Sequence, residues 1–295
     1  MHPALQKLKS INWRFVLKGV CTIILIIPVA IFISLAPLVG RPLYNKIIFH
    51  PVKYPIGSVW PQTAAGINPE EVFFKSDNGN TLHGLFYQSP GAKKIALISH
   101  GNSGNAFQRA SIASKPLSNN CSVFAYDYSG YGRSEGEPSL EGIIKDGEGA
   151  YKYLLSQNYK PEQIILFGES IGTIVSGELS RHHKSAAVIL QCPLYSLKSK
   201  ACAILPFLKY YPAFMWYLPG YYLDNSTAFT NNHSPLLLLA GTQDHLTPLD
   251  QAYRLYEAAS GPKEIVVISG GGHGDPTLRD APLYRERLAK FMQNL

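Results

Sequence analysis

Short, uninterrupted apolar runs alternate with helical stretches from residue 95 onwards, and this pattern restricts the fold more than any other feature of the chain. Apolar runs without polar alternation are typical of parallel strands that helices cover on both faces. Before them, Asn78-Gly79 joins two strand-like segments and predicts a leading antiparallel hairpin. We therefore expect a mostly parallel α/β sheet that binds its ligand beyond the carboxyl ends of its strands. The predicted strands are 95–99, 122–126, 163–167, 186–190, 236–240 and 264–268, and the predicted helices are about 105–117, 139–157, 170–182, 249–259 and 279–294.

The net charge of +7 lies outside this regular region. Residues 1–69 contain seven basic residues and no acid, whereas residues 70–295 contain 20 basic and 20 acidic residues. Because a neutral domain lacks the positive surface that phosphate binding requires, we expect no nucleic-acid partner. Only 16% of the residues are charged, against roughly 25% in an ordinary soluble domain, which points to contact with a membrane.

Residues 19–40 carry no charge and are mostly Ile, Leu, Val, Ala and Phe. A bilayer-crossing helix needs about 20 such residues, so we predict a transmembrane signal anchor at 19–40, a basic segment at 1–18 and a juxtamembrane connector at 41–69. A cleaved signal peptide and a buried core helix are the alternatives. The apolar segment is longer than the apolar core of a cleaved signal peptide, which has about 7–15 residues. It also lacks the polar face that a helix packed on a protein core usually has. Four basic residues before the segment and three after it favour an extracytoplasmic C-terminal domain.

A serine between glycines follows the third predicted strand, in Gly168-Glu169-Ser170-Ile171-Gly172. Glycines at these positions permit a sharp turn from strand to helix that lifts the serine hydroxyl off the sheet, as a nucleophile requires. The alternative is a helix N-cap, for which serine is also a preferred residue. The strand before Ser170 and the helix after it favour the nucleophile.

An acid and a base follow the last two predicted strands. Asp244 comes after 236–240, and His273 lies in a glycine-rich loop after 264–268. A carboxylate can hold an imidazole in the tautomer that accepts a proton, and a loop histidine is a good candidate for the general base. The chain order Ser170, Asp244, His273 is that of the catalytic triad in α/β-hydrolases. The weaker candidates are His182, His183, His233 and His245 for the base and Asp250 for the acid.

An oxyanion hole requires backbone N–H groups that face the nucleophile. His100-Gly101-Asn102 follows the first predicted strand, and its His-Gly turn allows such an orientation. We predict the N–H groups of Asn102 and Ile171 as the two donors.

Taken together, these motifs resemble the Bem46/ABHD13-like branch of the α/β-hydrolase fold serine hydrolases, and the resemblance covers about residues 41–295. The motifs that carry it are His100-Gly101-Asn102, Asp127-Tyr128-Ser129-Gly130-Tyr131-Gly132-Arg133-Ser134, Gly168-Glu169-Ser170-Ile171-Gly172, Gly241-Thr242-Gln243-Asp244 and Gly272-His273, with Lys46-Ile47-Ile48-Phe49-His50-Pro51 near the N-terminal segment. The run Gly270–Gly272 departs from the family, which usually has bulkier residues before the histidine.

The resemblance implies an α/β-hydrolase domain at 70–295 with a helical cap at about 195–233, because insertions at this place cover the catalytic serine in this fold. Ten of the 39 residues at 195–233 are aromatic, and Asp224 is the single acid. An aromatic, weakly charged cap suits an apolar acyl substrate, although aromatic residues also pack simple lids. The predicted substrate-pocket residues are Phe207, Tyr210, Phe214, Trp216 and Tyr217.

The sequence thus predicts a membrane-anchored serine hydrolase that cleaves carboxylic esters or thioesters of lipid-like or acylated substrates through an acyl-enzyme. A peptidase of the same fold and a non-catalytic membrane-tethered scaffold remain alternatives. We expect no cofactor and no metal site, since none of the four cysteines forms a C-x-x-C pair. A Cys192–Cys202 disulfide is left open.

Overall fold

The computed structural model describes residues 13–54, 63–216 and 223–295. At its centre lies an eight-stranded sheet with the order β10-β9-β8-β7-β4-β6-β3-β2. β3 is antiparallel to both β2 and β6, and the other neighbours are parallel. The strands are β1 (His50–Pro51), β2 (Glu70–Lys75), β3 (Thr81–Tyr87), β4 (Ile95–Ser99), β5 (Ser103–Gly104), β6 (Ser122–Tyr126), β7 (Ile164–Glu169), β8 (Ala187–Gln191), β9 (Leu236–Gly241) and β10 (Lys263–Ile268). β1 and β5 form a separate two-stranded pair.

The predicted hairpin and all six predicted parallel strands are present, with ends that differ by at most two residues. Gly79, at the hairpin turn, has φ +89°, a conformation that glycine adopts without steric cost. Strands β4, β6, β7, β8 and β9 are buried at every position. Burial on both faces explains why their sequences show no polar alternation.

Helices cover both faces of the sheet. The helices are α1 (Trp13–Ser34), α2 (Arg41–Ile48), α3 (Ala110–Leu117), α4 (Leu140–Ser156), α5 (Gly172–His182), α6 (Leu197–Ile204), α7 (Asn225–Thr230), α8 (Leu249–Ala258), α9 (Pro276–Arg279) and α10 (Pro282–Gln293). Alternate residues of β4 belong to two different core clusters: Ile95 and Leu97 pack with α4 and α5, whereas Ala96 and Ile98 pack with α3 and α10. The sheet is therefore the middle of three layers.

The N-terminal segment differs from the predicted single helix over 19–40. Helix α1 ends at Ser34, the chain turns around Pro37, and α2 starts at Arg41 with Pro42 in its first turn. Among the described residues, none of the helices has the combined length and apolar character needed to cross a membrane.

In the described part of the predicted cap, 195–216 and 223–233, α6 is followed by two short 3₁₀ helices, Pro206–Tyr210 and Ala213–Trp216, and then by α7. The cap contacts the N-terminal segment: Ala36 is buried together with Leu208 and Tyr211, and the Tyr211 ring stacks on Phe32 at 4.3 Å. The N-terminal segment and the cap consequently pack as one layer beside the carboxyl ends of the central strands.

Candidate active site

The turn after β7 holds Ser170 in the left-handed region, with φ +53°. A non-glycine residue adopts this conformation only where its surroundings impose it. The two neighbouring glycines make the turn possible, because a Cβ at Gly168 would lie 2.6 Å from the Gly172 carbonyl oxygen and one at Gly172 would lie 2.0 Å from the Ser99 carbonyl oxygen. The close packing of β4, β7 and α5 thus leaves no room for side chains and exposes the Ser170 hydroxyl at the sheet edge.

The structure brings the three predicted residues Ser170, His273 and Asp244 into one hydrogen-bonded chain. His273 Nε2 lies 3.0 Å from Ser170 Oγ, and His273 Nδ1 lies 2.8 Å from Asp244 Oδ2. Because a carboxylate can only accept, Nδ1 donates to Asp244 and Nε2 is left to accept the serine proton. This tautomer is the one that a general base requires.

Asp244 is 4% exposed and is held by more than the histidine. The backbone N–H groups of Leu246 and Thr247 donate to its Oδ1, and the Thr247 hydroxyl donates to Oδ2. Burial alone would raise the pKa of Asp244, but the hydrogen bonds from His273 and Thr247 outweigh it and lower the pKa to about 2. Asp244 is therefore ionised at physiological pH.

Asn102 and Ile171, the predicted oxyanion donors, both line the cavity that contains Ser170. The loop with Asn102 is braced by its own polar groups: its carbonyl oxygen accepts from His50 N–H and the Tyr131 hydroxyl, and its side-chain amide donates to the Ile48 carbonyl at 2.8 Å. The backbone N–H groups of Asn102 and Ile171 form no hydrogen bond within the described part of the chain. Both remain available for a substrate oxygen.

His100 is buried under the same loop and is not a second base. Its Nδ1 donates to the Gly101 carbonyl at 2.7 Å, and its ring packs against Tyr128 and Tyr131. Burial lowers the pKa of His100 to about 4, so its imidazole is neutral at physiological pH.

Sequence reasoning missed an ion pair between Glu169 and Arg109. Glu169 Oε2 accepts from Arg109 Nε at 2.7 Å and from Gly101 N–H at 3.3 Å, and Arg109 also donates to the Ser103 carbonyl. The residue just before Ser170 is thereby tied to the loop that contains Asn102. In the sequence, the one indication of this ion pair is a charged residue, Glu169, at the end of an apolar strand.

The weaker candidates lie apart from this hydrogen-bonded chain. His245 and Asp250 are exposed, and His183 Nε2 binds Glu148 at 2.6 Å at the end of α5. His182 and His233 are exposed as well.

A cavity of about 290 Å³ opens beside Ser170 and His273. Of the five predicted pocket residues, Trp216 lines it, whereas Phe207, Tyr210 and Phe214 point to solvent and Tyr217 falls outside the described residues. The three rings lie on short 3₁₀ helices, whose tight turns cannot orient every aromatic side chain inward. The wall is mostly aliphatic: it includes Leu194, Leu197, Ala201, Ile204, Leu205, Leu208 and Leu223.

The N-terminal segment supplies the opposite wall, which sequence reasoning did not anticipate. Pro37, Arg41, Tyr44, Ile47 and Ile48 line the same cavity as Ser170 and His273. The segment predicted as a connector is therefore part of the site.

The cysteines Cys121, Cys192 and Cys202 are free thiols, so Cys192 and Cys202 do not pair. Cys192, Asp244 and His273 are the one set of potential metal ligands close together among the described residues. Asp244 and His273 bind each other, and burial raises the pKa of the Cys192 thiol and keeps it protonated. We assign this set no metal.

The eight-stranded order, the left-handed serine after β7 and the loops after β9 and β10 define an α/β hydrolase. Among solved structures, the esterase Pf2001 of Pyrococcus furiosus matches with a TM-score of 0.66 at 19% identity, over 84% of this chain and 97% of that one. An alpha-beta hydrolase of Vibrio vulnificus matches with a TM-score of 0.60 at 20% identity, over 76% and 81%. At such identities the likeness shows the fold.

Sequence relatives lead to the family. The human alpha/beta hydrolase domain-containing protein 17B is 35% identical over 221 residues, which are 74% of this chain and 73% of that protein. The uncharacterized protein YfhR of Salmonella typhimurium is 30% identical over 90% of this chain and 94% of that protein. The profile of the family described as Serine aminopeptidase, S33 matches residues 90–233. The chain belongs to the alpha/beta hydrolase family; its place in the Bem46/ABHD13-like branch stays a prediction.

Proposed function

We propose that the protein is a serine hydrolase that cleaves carboxylic esters or thioesters of lipid-like or acylated substrates. The observation that carries the proposal is the hydrogen-bonded chain Ser170–His273–Asp244 beside a cavity with aliphatic walls. A proton acceptor at 3.0 Å from a serine hydroxyl is the arrangement that activates this nucleophile.

Acylation begins when Ser170 Oγ attacks the carbonyl carbon and its proton moves to His273 Nε2. Asp244 stabilises the imidazolium that forms, and the N–H groups of Asn102 and Ile171 donate to the oxyanion, each worth about 3 kcal/mol in comparable sites. His273 then gives the proton to the leaving alcohol or thiol. Water then attacks the Ser170 ester while its proton moves to His273 Nε2. The acid leaves as the Ser170 ester bond breaks, and His273 returns the proton to Ser170 Oγ.

A fluorophosphonate probe, which labels activated serines, tests this assignment. We expect covalent labelling of the full-length chain and its loss in Ser170→Ala. Ser176→Ala is the matched control, because Ser176 is a buried serine of α5 and should leave labelling unchanged. Labelling that persists in Ser170→Ala would show that Ser170 is not the nucleophile.

A peptidase is the second candidate, because the matching family profile is described as a serine aminopeptidase. An aminopeptidase needs an acid to bind the substrate ammonium group. The described residues of the cavity wall include Arg41 and Lys200 but no Asp or Glu, which favours an acyl substrate over an amine. Esters of p-nitrophenol with rising acyl length, compared with aminoacyl amides, separate the two; cleavage of amides alone would reject the ester proposal.

We further propose that the basic, apolar N-terminal segment attaches the chain to a membrane. The support is compositional: residues 1–69 have no acid, and residues 19–40 have no charge. The predicted extracytoplasmic position of residues 70–295 follows from the four basic residues before the apolar segment against three after it. Protease treatment of intact cells, with lysed cells as control, tests the position, and full protection in intact cells would contradict it.

A further inference from the structure

Exposed apolar side chains are concentrated on one part of the molecule. Of the large apolar side chains that the described residues expose, ten lie in 26–47, four in 204–214 and one at Leu246, whereas five lie elsewhere. Single exposed apolar residues are ordinary, but a contiguous group marks an interaction site. We call this group, at 26–47, 204–214 and Leu246, the apolar face.

The apolar face is one surface because its two main parts pack on each other. The Tyr211 ring stacks on Phe32 at 4.3 Å, and its hydroxyl donates to the Phe32 carbonyl at 2.6 Å. The Tyr44 hydroxyl donates to the Leu35 carbonyl and fixes α2 against the end of α1. The two segments thus expose their apolar residues side by side, although Phe32 and Tyr211 are 179 residues apart in the chain.

The same face surrounds the entrance of the cavity. Ile47, Ile204 and Leu246 line the cavity and are also 56%, 61% and 56% exposed. They come from α2, α6 and the loop after Asp244, so each of these three elements contributes an exposed apolar residue to the cavity wall. An acyl chain can pass from the face to Ser170 over aliphatic groups.

Basic residues accompany the face and acidic ones are rare there. Arg14, Lys18, Arg41 and Lys46 lie on the N-terminal helices, and Lys198 and Lys209 lie in the cap. Residues 1–69 have no acid, and Asp224 is the one acid of 195–233. An apolar surface whose elements also carry basic residues suits an anionic lipid surface, where cations can reach the headgroups.

We propose that the apolar face docks on an anionic lipid bilayer, so that the cavity opens towards the acyl region and the substrate acyl chain reaches Ser170 from the lipid. The entry of the substrate acyl chain rests on the proposed hydrolase function. The docking on the bilayer does not depend on that function. A second copy of the chain or a partner protein on this face would be a different occupant.

Tryptophan reporters test the docking without using activity. Phe214 is 66% exposed on the apolar face, and Leu155 is 38% exposed near the end of α4. Leu140 starts α4 at the cavity, so Leu155 is about 22 Å further along the helix. Each variant adds one tryptophan to those already in the chain, and bromine atoms on lipid acyl chains quench tryptophan fluorescence nearby. With vesicles of brominated phosphatidylcholine and phosphatidylserine, the fluorescence added by Phe214→Trp should be quenched. The fluorescence added by Leu155→Trp should not be quenched.

Equal quenching of the two reporters, or quenching of neither, would overturn the docking. Attachment of the chain through α1 alone affects both variants equally, so it cannot produce a difference in quenching between the two tryptophans. Vesicles without phosphatidylserine should quench Phe214→Trp less, and added salt should have the same effect. If Phe214→Trp becomes shielded as the chain associates with itself in the absence of lipid, the face is a contact between copies and the proposal fails.

The acyl route is tested with Phe214→Asp and the control Leu155→Asp. Phe214 does not line the cavity, so hydrolysis of a short, water-soluble ester should be unchanged. Hydrolysis of a long-chain ester embedded in anionic vesicles should fall about tenfold in Phe214→Asp only. An equal rate on embedded ester in Phe214→Asp and the unchanged chain rejects the route, whereas absence of all ester hydrolysis rejects the proposed function.

Discussion

At the scale of single residues, Asp244 shows how a carboxylate can be buried and still remain ionised. Three hydrogen bonds from Leu246 and Thr247, together with the one from His273, replace the water that burial removes. Such compensation is required, because an isolated buried charge would neutralise by shifting its pKa upward.

The lowered pKa makes Asp244 a source of pH-dependent stability. Its folded pKa of about 2 lies below the ordinary 3.8, so its contribution is complete above pH 3.8 and is lost as the pH falls through about 2. The shift corresponds to about 2 kcal/mol. We expect the difference in unfolding free energy between the unchanged chain and Asp244→Asn to shrink by about this amount between pH 4 and pH 2. Urea denaturation at each pH measures it, and a constant difference would contradict the assignment.

The Glu169–Arg109 ion pair should affect both stability and turnover. Both side chains are nearly buried, so Glu169→Gln leaves the guanidinium without its carboxylate and should cost about 2 kcal/mol. Movement of the loop that contains Asn102 should lower kcat about tenfold with little change in KM. Glu141→Gln is the control, because its exposed pair with Lys145 should contribute less than about 0.5 kcal/mol. Equal effects of the two variants would exclude a positioning role.

At the scale of elements, the turn between β7 and α5 depends on the absence of side chains. A Cβ at Gly172 would overlap the backbone of β4, which cannot move without disturbing the whole sheet. Ser170, the proposed nucleophile, is therefore positioned by packing between three elements and not by the turn alone.

Gly172→Ala should accordingly destabilise the fold by about 3 kcal/mol and abolish labelling by a fluorophosphonate. Gly91→Ala is the control: Gly91 has φ +75° but open space around it, so the change costs only backbone strain, about 1 kcal/mol. Thermal denaturation of both variants measures the difference. A Gly172→Ala variant that kept full stability and labelling would contradict the tight contact.

At the scale of the whole molecule, the N-terminal segment and the cap support each other over the cavity. Tyr211 is 3% exposed and binds Phe32 through its ring and its hydroxyl, whereas the adjacent Tyr210 is 70% exposed. The two tyrosines are adjacent in the chain, one buried in this contact and one exposed. Substitution of Tyr210 is therefore a matched control for substitution of Tyr211.

Tyr211→Ala should loosen both segments, because it removes the stacking and the hydrogen bond together. We expect faster hydrogen exchange of backbone amides at 31–36 and at 206–211, and an increase in KM for long acyl esters. Tyr210→Ala should change neither. Faster exchange in the cap alone would show that the N-terminal segment does not depend on this contact.

Much of the fold could be predicted from local pattern. The continuous apolar runs indicated the parallel strands, since strands buried on both faces have no polar positions. The glycines around Ser170 and the positions of Asp244 and His273 after successive strands placed all three at the carboxyl edge, where the structure also brings them within hydrogen-bond distance.

The cavity could not be predicted in the same way. Its walls are formed by α2 and by the cap, which are far apart in the chain. A local pattern of apolar residues does not indicate which distant surfaces pack together. The aromatic content of 195–233 suggested an aromatic pocket, yet aliphatic residues form most of the wall and three of the aromatic rings are exposed. The sequence by itself determined the strands, the turn and the order of the reactive residues, because each depends on neighbours in the chain. Only the tertiary structure decided the shape and chemistry of the cavity, because burial is a property of the packed elements.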